Sequence, residues 1–193
     1  KSLVFFGDDG NCHLNMTYVN VASNDIARRH PGYPIEKVIW DAYKGVSTST
    51  GNSYPEITTL LKQQQQAGAL IMDYAGHGRA DQISHERVLT LSDFEKFSNT
   101  NLPLWVTASC DILPFDGVEP TIGEAAVTNS KGGAVAFFGT TRTVYSNYNK
   151  SINMAFMRYV LSAPDGKPIT LGEAQRLAKN QLITNKQDTT VNK

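Results

Sequence analysis

The chain has 193 residues, the size of one domain that can bury a continuous core without disulfides or a structural metal. Its 18 basic and 18 acidic residues cancel, and no run of like charge marks a tail or stripe, which argues against nucleic acid as a partner. No apolar stretch approaches the roughly 20 residues of a membrane helix, and two cysteines, Cys12 and Cys110, are too few for a disulfide framework.

The apolar runs are short, rich in β-branched and aromatic residues, and separated by amphipathic stretches, the pattern of an α/β domain with a mostly parallel sheet flanked by helices. In chain order, residues 2–7 predict a strand rather than a secretory signal. Residues 16–29 predict a helix, and residues 35–40 a second strand bounded by Pro31, Gly32 and Pro34. The Ser, Thr and Gly residues of 44–53 read as a surface loop. A second helix follows Tyr54, with Pro55 and Glu56 suited to its first turn and the glutamine tract at 63–66 ending it. Residues 69–74 form the third expected strand, a short helix lies near 92–97, and residues 104–108 form the fourth. A helix from about residue 121, a fifth strand at 134–138, and helices near 152–161 and 170–182 follow. The polar stretch 184–193 offers no further strand, and Lys1 in place of Met suggests a domain cut from a longer precursor.

The third strand runs into Tyr74-Ala75-Gly76-His77-Gly78 and the fourth into Thr107-Ala108-Ser109-Cys110-Asp111. If those strands are parallel neighbours, about 4.8 Å apart, His77 and Cys110 emerge at one carboxyl edge of the sheet, where open α/β sheets bind ligands. A thiol is a good nucleophile only as thiolate, and a nearby imidazole can take its proton or protonate a leaving amine. Gly76 and Gly78 let the backbone turn sharply, so the N–H of Gly78, with that of Cys110, suits an oxyanion hole. Asp8, Asp9, Glu36, Asp41 and Asp73 all lie in or near strand ends as candidates for the acid that orients His77. Asp111, Asp116 and Glu119, with Asp8 and Asp9, form an acidic fringe that either attracts a basic substrate side chain or is a solvated loop.

The remaining candidates are weaker. Cys12 and His13 are adjacent and point apart in an extended segment; they read as structural, and His30 and His85 as surface residues. No metal is expected, because Cys12, His13, His77, His85 and Cys110 lack ligand spacing. Neither Gly7-Asp8-Asp9-Gly10 nor Gly76-His77-Gly78 carries a dinucleotide fingerprint or a P-loop lysine, so no cofactor is expected.

Taken together, the His77 and Cys110 strand ends resemble the gingipain-type peptidases, relatives of caspases that place His-Gly after the third strand and Cys after the fourth. Within that group Asp73-Tyr74-Ala75-Gly76-His77-Gly78, Thr107-Ala108-Ser109-Cys110-Asp111 and the segment 132–139 look most like the sortase of the type IX secretion system. The resemblance implies a caspase-like three-layer sandwich and a thioester on Cys110. It also implies a protein substrate bearing a C-terminal sorting domain, a surface glycolipid as amine acceptor, other secretion components as partners, and a place at the bacterial outer-membrane surface. In caspase-like peptidases the segment after the fifth strand pairs with substrate, which makes Thr140, Thr141 and Arg142, with Asp111, candidate binding residues. The family's closing strand is expected beyond residue 193. Two other readings stand beside the sortase: an endopeptidase selective for Arg or Lys, and a caspase-like scaffold without turnover.

Overall fold

The computed structural model describes residues 1–49 and 51–184. The central sheet is built from β1 (Leu3–Gly7), β2 (Ile35–Ile39), β5 (Ile71–Ala75), β9 (Leu104–Ala108) and β10 (Ala136–Phe138). Its strand order is β10-β9-β5-β1-β2 and every pairing is parallel. Between these strands run α1 (Leu14–Arg29), α2 (Pro55–Ala67), α3 (Leu91–Lys96) and α4 (Ile122–Thr128), and after β10 come α5 (Ser146–Val160) and α6 (Leu171–Thr184).

The strand period of two sorts side chains into the two halves of the core. Val4, Phe6, Met72, Tyr74 and Trp105 face the layer of α2, α3 and α4, where Ile57, Leu61, Phe94 and Ile122 are fully buried. Leu3, Phe5, Ile71, Leu104 and Val106 face α1, α5 and α6, against Val19, Ile26, Phe156 and Ala178. This is the expected three-layer sandwich, and the parallel strands are apolar on both faces because both are covered.

Local signals explain the element ends. Pro55 opens α2, and Gly68, at φ +77°, closes it in the left-handed conformation that glycine adopts without strain. Thr121 and Glu124 form a reciprocal capping box on α4, with bonds of 2.8 and 3.2 Å. Asp25 on α1 accepts from Arg158 on α5 at 2.8 Å and from Arg29 at 3.0 Å, tying two helices of one layer together.

Several boundaries differ from expectation. Residues 46–53 are not a plain loop: β3 (Val46–Thr48) and β4 (Gly51–Ser53) pair as an exposed antiparallel hairpin, a pairing that a Ser/Thr/Gly composition does not announce. Helix α5 starts at Ser146, six residues earlier than the apolar period suggests, because its first turns carry Asn and Tyr rather than aliphatic residues. Trp40 leaves β2 for a single 3₁₀ turn and is wholly buried. Residues 78–90 fold into an unexpected small sheet of β6 (Gly78–Arg79), β7 (Gln82–Ile83) and β8 (Leu89–Thr90), two residues each and too short for a periodic signal. Among the described residues β10 is one edge of the sheet, and the closing strand expected beyond residue 193 lies outside them.

Candidate active site

Strands β5 and β9 are adjacent and in register, with Ala75 opposite Ala108. The chain leaves both at the same edge, and the Gly76 N–H still donates to the Ala108 carbonyl at 3.2 Å. His77 and Cys110 each stand two residues past that last pair, on neighbouring strand ends. Gly78 sits directly on the Cys110 turn: a Cβ there would come within 2.3 Å of Ser109 Oγ and 3.1 Å of Ile112 Cδ1, so any larger residue would have to displace the Ser109 side chain.

The His77 loop is anchored by Asp8, which the fold buries at the end of β1. Asp8 Oδ2 accepts the His77 N–H at 2.6 Å and lies 3.0 Å from the Tyr74 hydroxyl, while Oδ1 accepts the Gly10 N–H at 3.1 Å and the Asn15 amide at 2.6 Å. The His77 carbonyl in turn accepts the Ser84 N–H at 2.9 Å and lies 2.7 Å from the Tyr74 hydroxyl. Burial, then the neighbouring Asp8 carboxylate, pushes the Tyr74 phenol well above its ordinary range, so it remains a neutral donor. The imidazole itself stacks on His85, with ring centroids 4.4 Å apart and planes 12° apart.

Cys110 is half-buried and free, and its thiol lies 3.4 Å from the Val144 carbonyl. No hydrogen bond joins it to His77 among the described residues. Asp111, next in the chain, adopts φ +45°, a strained conformation for a residue with a side chain. The turn is braced by the segment after β10. The Asp111 N–H donates to the Arg142 carbonyl at 3.3 Å and the Leu113 N–H to the Thr140 carbonyl at 2.9 Å. Thr143 Oγ1 donates to Asp111 Oδ2 at 2.6 Å, and the Thr140 hydroxyl donates to the Ser109 carbonyl. Arg142 forms a two-bond ion pair with Asp116, at 2.6 and 3.1 Å, and the Arg142 guanidinium holds the Asp116 carboxyl below its usual range. Beside this segment opens a cavity of about 670 Å³ lined by Phe115, Phe138, Val144, Tyr145, Ile152 and Lys179 among others.

The candidate orienting acids are dispersed. Asp8 grips the His77 backbone rather than its ring. Asp9 accepts from Tyr54 at 3.1 Å, Asp41 pairs with His13 at 3.4 Å, and Glu36 is exposed on β2. Asp73 points to the opposite face of the sheet, where it accepts from Asn153 at 2.7 Å and its Oδ2 is buried without a partner among the described residues. Burial pushes the Asp73 carboxyl up to about 7. His85, expected as an ordinary surface residue, is exposed but lies on the His77 ring. Cys12 and His13 are not extended; with Asn11 they form a left-handed turn at φ 53°, 53° and 64°. Among the described residues no three His, Cys, Asp or Glu side chains form a metal-holding group.

The family model for peptidase family C25 matches residues 1–193. The chain belongs to that family. Among solved structures it is similar to gingipain R, described as an Arg-specific cysteine proteinase, with a TM-score of 0.66 and 16% identity over 97% of this chain and 42% of that one. The complex of the pro- and mature domains of RgpB from Porphyromonas gingivalis gives a TM-score of 0.71 at 13% identity, over 97% and 43%. A structure described only as a protease gives 0.59 at 17% identity, over 79% and 31%. These likenesses concern the fold, and the C25 chain described here spans less than half the length of each solved chain. No curated protein matches it in sequence.

Proposed function

We propose that this C25 domain cleaves peptide bonds through a thioester on Cys110, with His77 as its base. The observation that carries the proposal is the in-register pairing of β5 with β9, which brings a Gly-flanked histidine and a half-buried free thiol to one sheet edge. For reaction, the thiol turns from the Val144 carbonyl, gives its proton to the imidazole, and attacks the substrate carbonyl carbon. The N–H groups of Gly78 and Cys110 stabilise the oxyanion of the tetrahedral intermediate. The imidazolium then protonates the leaving amine, and water or a second amine resolves the thioester.

The finer reading is a sortase of the type IX secretion system, acting at the outer-membrane surface on C-terminal sorting domains and passing the acyl group to a glycolipid amine. It rests on the segments 73–78, 107–111 and 132–139, whose sequences look most like that group. Selectivity for Arg or Lys is less well supported, because four of the five acids of the fringe are engaged, leaving exposed Glu119. Asp8 holds backbone, Asp9 holds Tyr54, Asp111 holds Thr143 and Asp116 holds Arg142. Aromatic and aliphatic groups in the cavity after β10 favour an apolar side chain near the cut.

Covalent labelling by a thiol-directed peptidyl inhibitor tests the chemistry: Cys110→Ala should abolish it, and undiminished labelling would sink the assignment. Adding an amine during turnover tests the sortase step. Its incorporation into product is expected; if only hydrolysis products form over a range of amines, the enzyme is a peptidase without transfer.

A further inference from the structure

Acid–base chemistry needs His77 in one orientation, yet no carboxylate among the candidates contacts its ring. Two other features meet the ring instead. His85 lies flat on it, at 4.4 Å between centroids and 12° between planes. On the Cδ2–Nε2 side the ring lies so close to Gly10 that a Cβ at that position would fall 2.5 Å from Cδ2 and 2.7 Å from Nε2. Gly10 is outside the left-handed region, so this glycine is required by the space the imidazole occupies rather than by its own backbone.

The backbone at or next to each neighbour is itself held. The Gly10 N–H is held by Asp8 Oδ1 at 3.1 Å, the same carboxylate that holds the His77 N–H through its other oxygen. His85 follows Ser84, whose φ of 63° turns the chain sharply out of β7. The Ser84 N–H bonds to the His77 carbonyl at 2.9 Å, and the Ser84 carbonyl accepts from the Gln82 amide at 2.9 Å and the Arg87 N–H at 3.3 Å. The strand ends of β1, β5 and β7 thus converge on a single ring.

We propose that His85 and Gly10 are positioning residues for His77: His85 supplies a flat face that fixes the plane of the imidazole, and Gly10 supplies the clearance that lets it lie there. This inference rests on the reading of His77 as the base of Cys110. A stack restrains rotation of the ring with no carboxylate at its nitrogen, and small misplacements of a catalytic group are costly in rate.

The test measures alkylation of Cys110 by iodoacetamide at neutral pH in the whole chain, with Cys12→Ser removing the exposed second thiol. His77→Ala is the reference for loss of the base. Gly10→Ala should slow alkylation by about tenfold or more, since its methyl group must displace the ring. His85→Ala should slow it by about threefold to tenfold, the worth of one aromatic stack, while His85→Phe should restore the parent rate to within about twofold. Rescue by phenylalanine separates a stacking role from general loss of structure, and urea midpoints within error of the parent for the His85 pair confirm intact folds. Parent rates in both Gly10→Ala and His85→Ala, beside a slow His77→Ala, would overturn the inference alone, as would equal slowing in His85→Ala and His85→Phe. A parent rate in His77→Ala would overturn the peptidase reading beneath it.

Discussion

The two strand ends of the candidate site are held in opposite ways. At the His77 end, a buried carboxylate reaches inward from β1 and satisfies donors from four different residues, and the ring is covered by His85. At the Cys110 end, the turn is held from the outside by the segment after β10, through backbone bonds to Thr140 and Arg142 and an exposed Arg142–Asp116 pair. A buried network is rigid because any unpaired member is costly, whereas exposed bonds exchange with water at little cost. On the proposed assignment of roles, the His77 loop is therefore preset, and the Cys110 turn with its adjoining cavity is the part that can adjust.

Substitutions should expose this asymmetry. Asp8→Ala leaves the His77 and Gly10 N–H groups, the Asn15 amide and the Tyr74 hydroxyl without their shared acceptor. It should lower stability by about 3–5 kcal/mol in urea unfolding and abolish turnover; a loss under about 1 kcal/mol would mean that the base end is not the rigid one. Asp73→Asn should act in the opposite direction. Burial raises the Asp73 pKa from 3.8 to about 7, so the neutral acid is favoured in the fold. Its contribution is intact below pH 4 and is lost as pH rises from about 4 to about 7. Asn keeps the oxygen that Asn153 bonds and cannot ionise, so at pH 8 it should stabilise the protein by up to about 4 kcal/mol, with no gain at pH 4. Equal effects at both pH values would remove burial of a titrating carboxyl as the cause.

Gln65→Leu tests the core away from the site. The Gln65 side chain accepts the Trp105 indole N–H at 2.9 Å and donates to the Gly133 carbonyl at 2.7 Å and to Asn99 at 3.0 Å. Removing it should cost about 2–4 kcal/mol with the chemistry at Cys110 unchanged, visible as a lower urea midpoint and an unaltered iodoacetamide rate. The smallest effect on stability is expected from Arg142→Ala, whose ion pair is exposed. Its unfolding midpoint should match the parent while KM for peptide rises and kcat holds; a large fall in stability would show that the Cys110 end is as rigid as its neighbour.

Much of this architecture could be read from the chain alone, because the signals are local or periodic. The five sheet strands and the helices follow from short apolar runs and from breakers such as Pro31, Gly32, Pro34 and Pro55, with end errors of up to six residues, as at Ser146. His77 and Cys110 stood out because each is a reactive residue that directly follows a strand and is flanked by glycine or a turn. The hairpin at 46–53 and the two-residue strands of 78–90 were not legible, since pairs that short are set by what they pack against.

What the sequence determined by itself was an α/β domain of family C25 type with a histidine and a cysteine at two strand ends. Only the tertiary structure decided that those ends are adjacent, that Asp8 serves backbone rather than ring, that Asp73 faces away, and that Gly10 and His85 meet the imidazole. Gly10 and His77 lie 67 positions apart, and which groups share a few cubic ångströms at such a separation depends on strand order and register. Local patterns report the burial of a face, and contacts across the sheet edge arise only once the faces have been assembled.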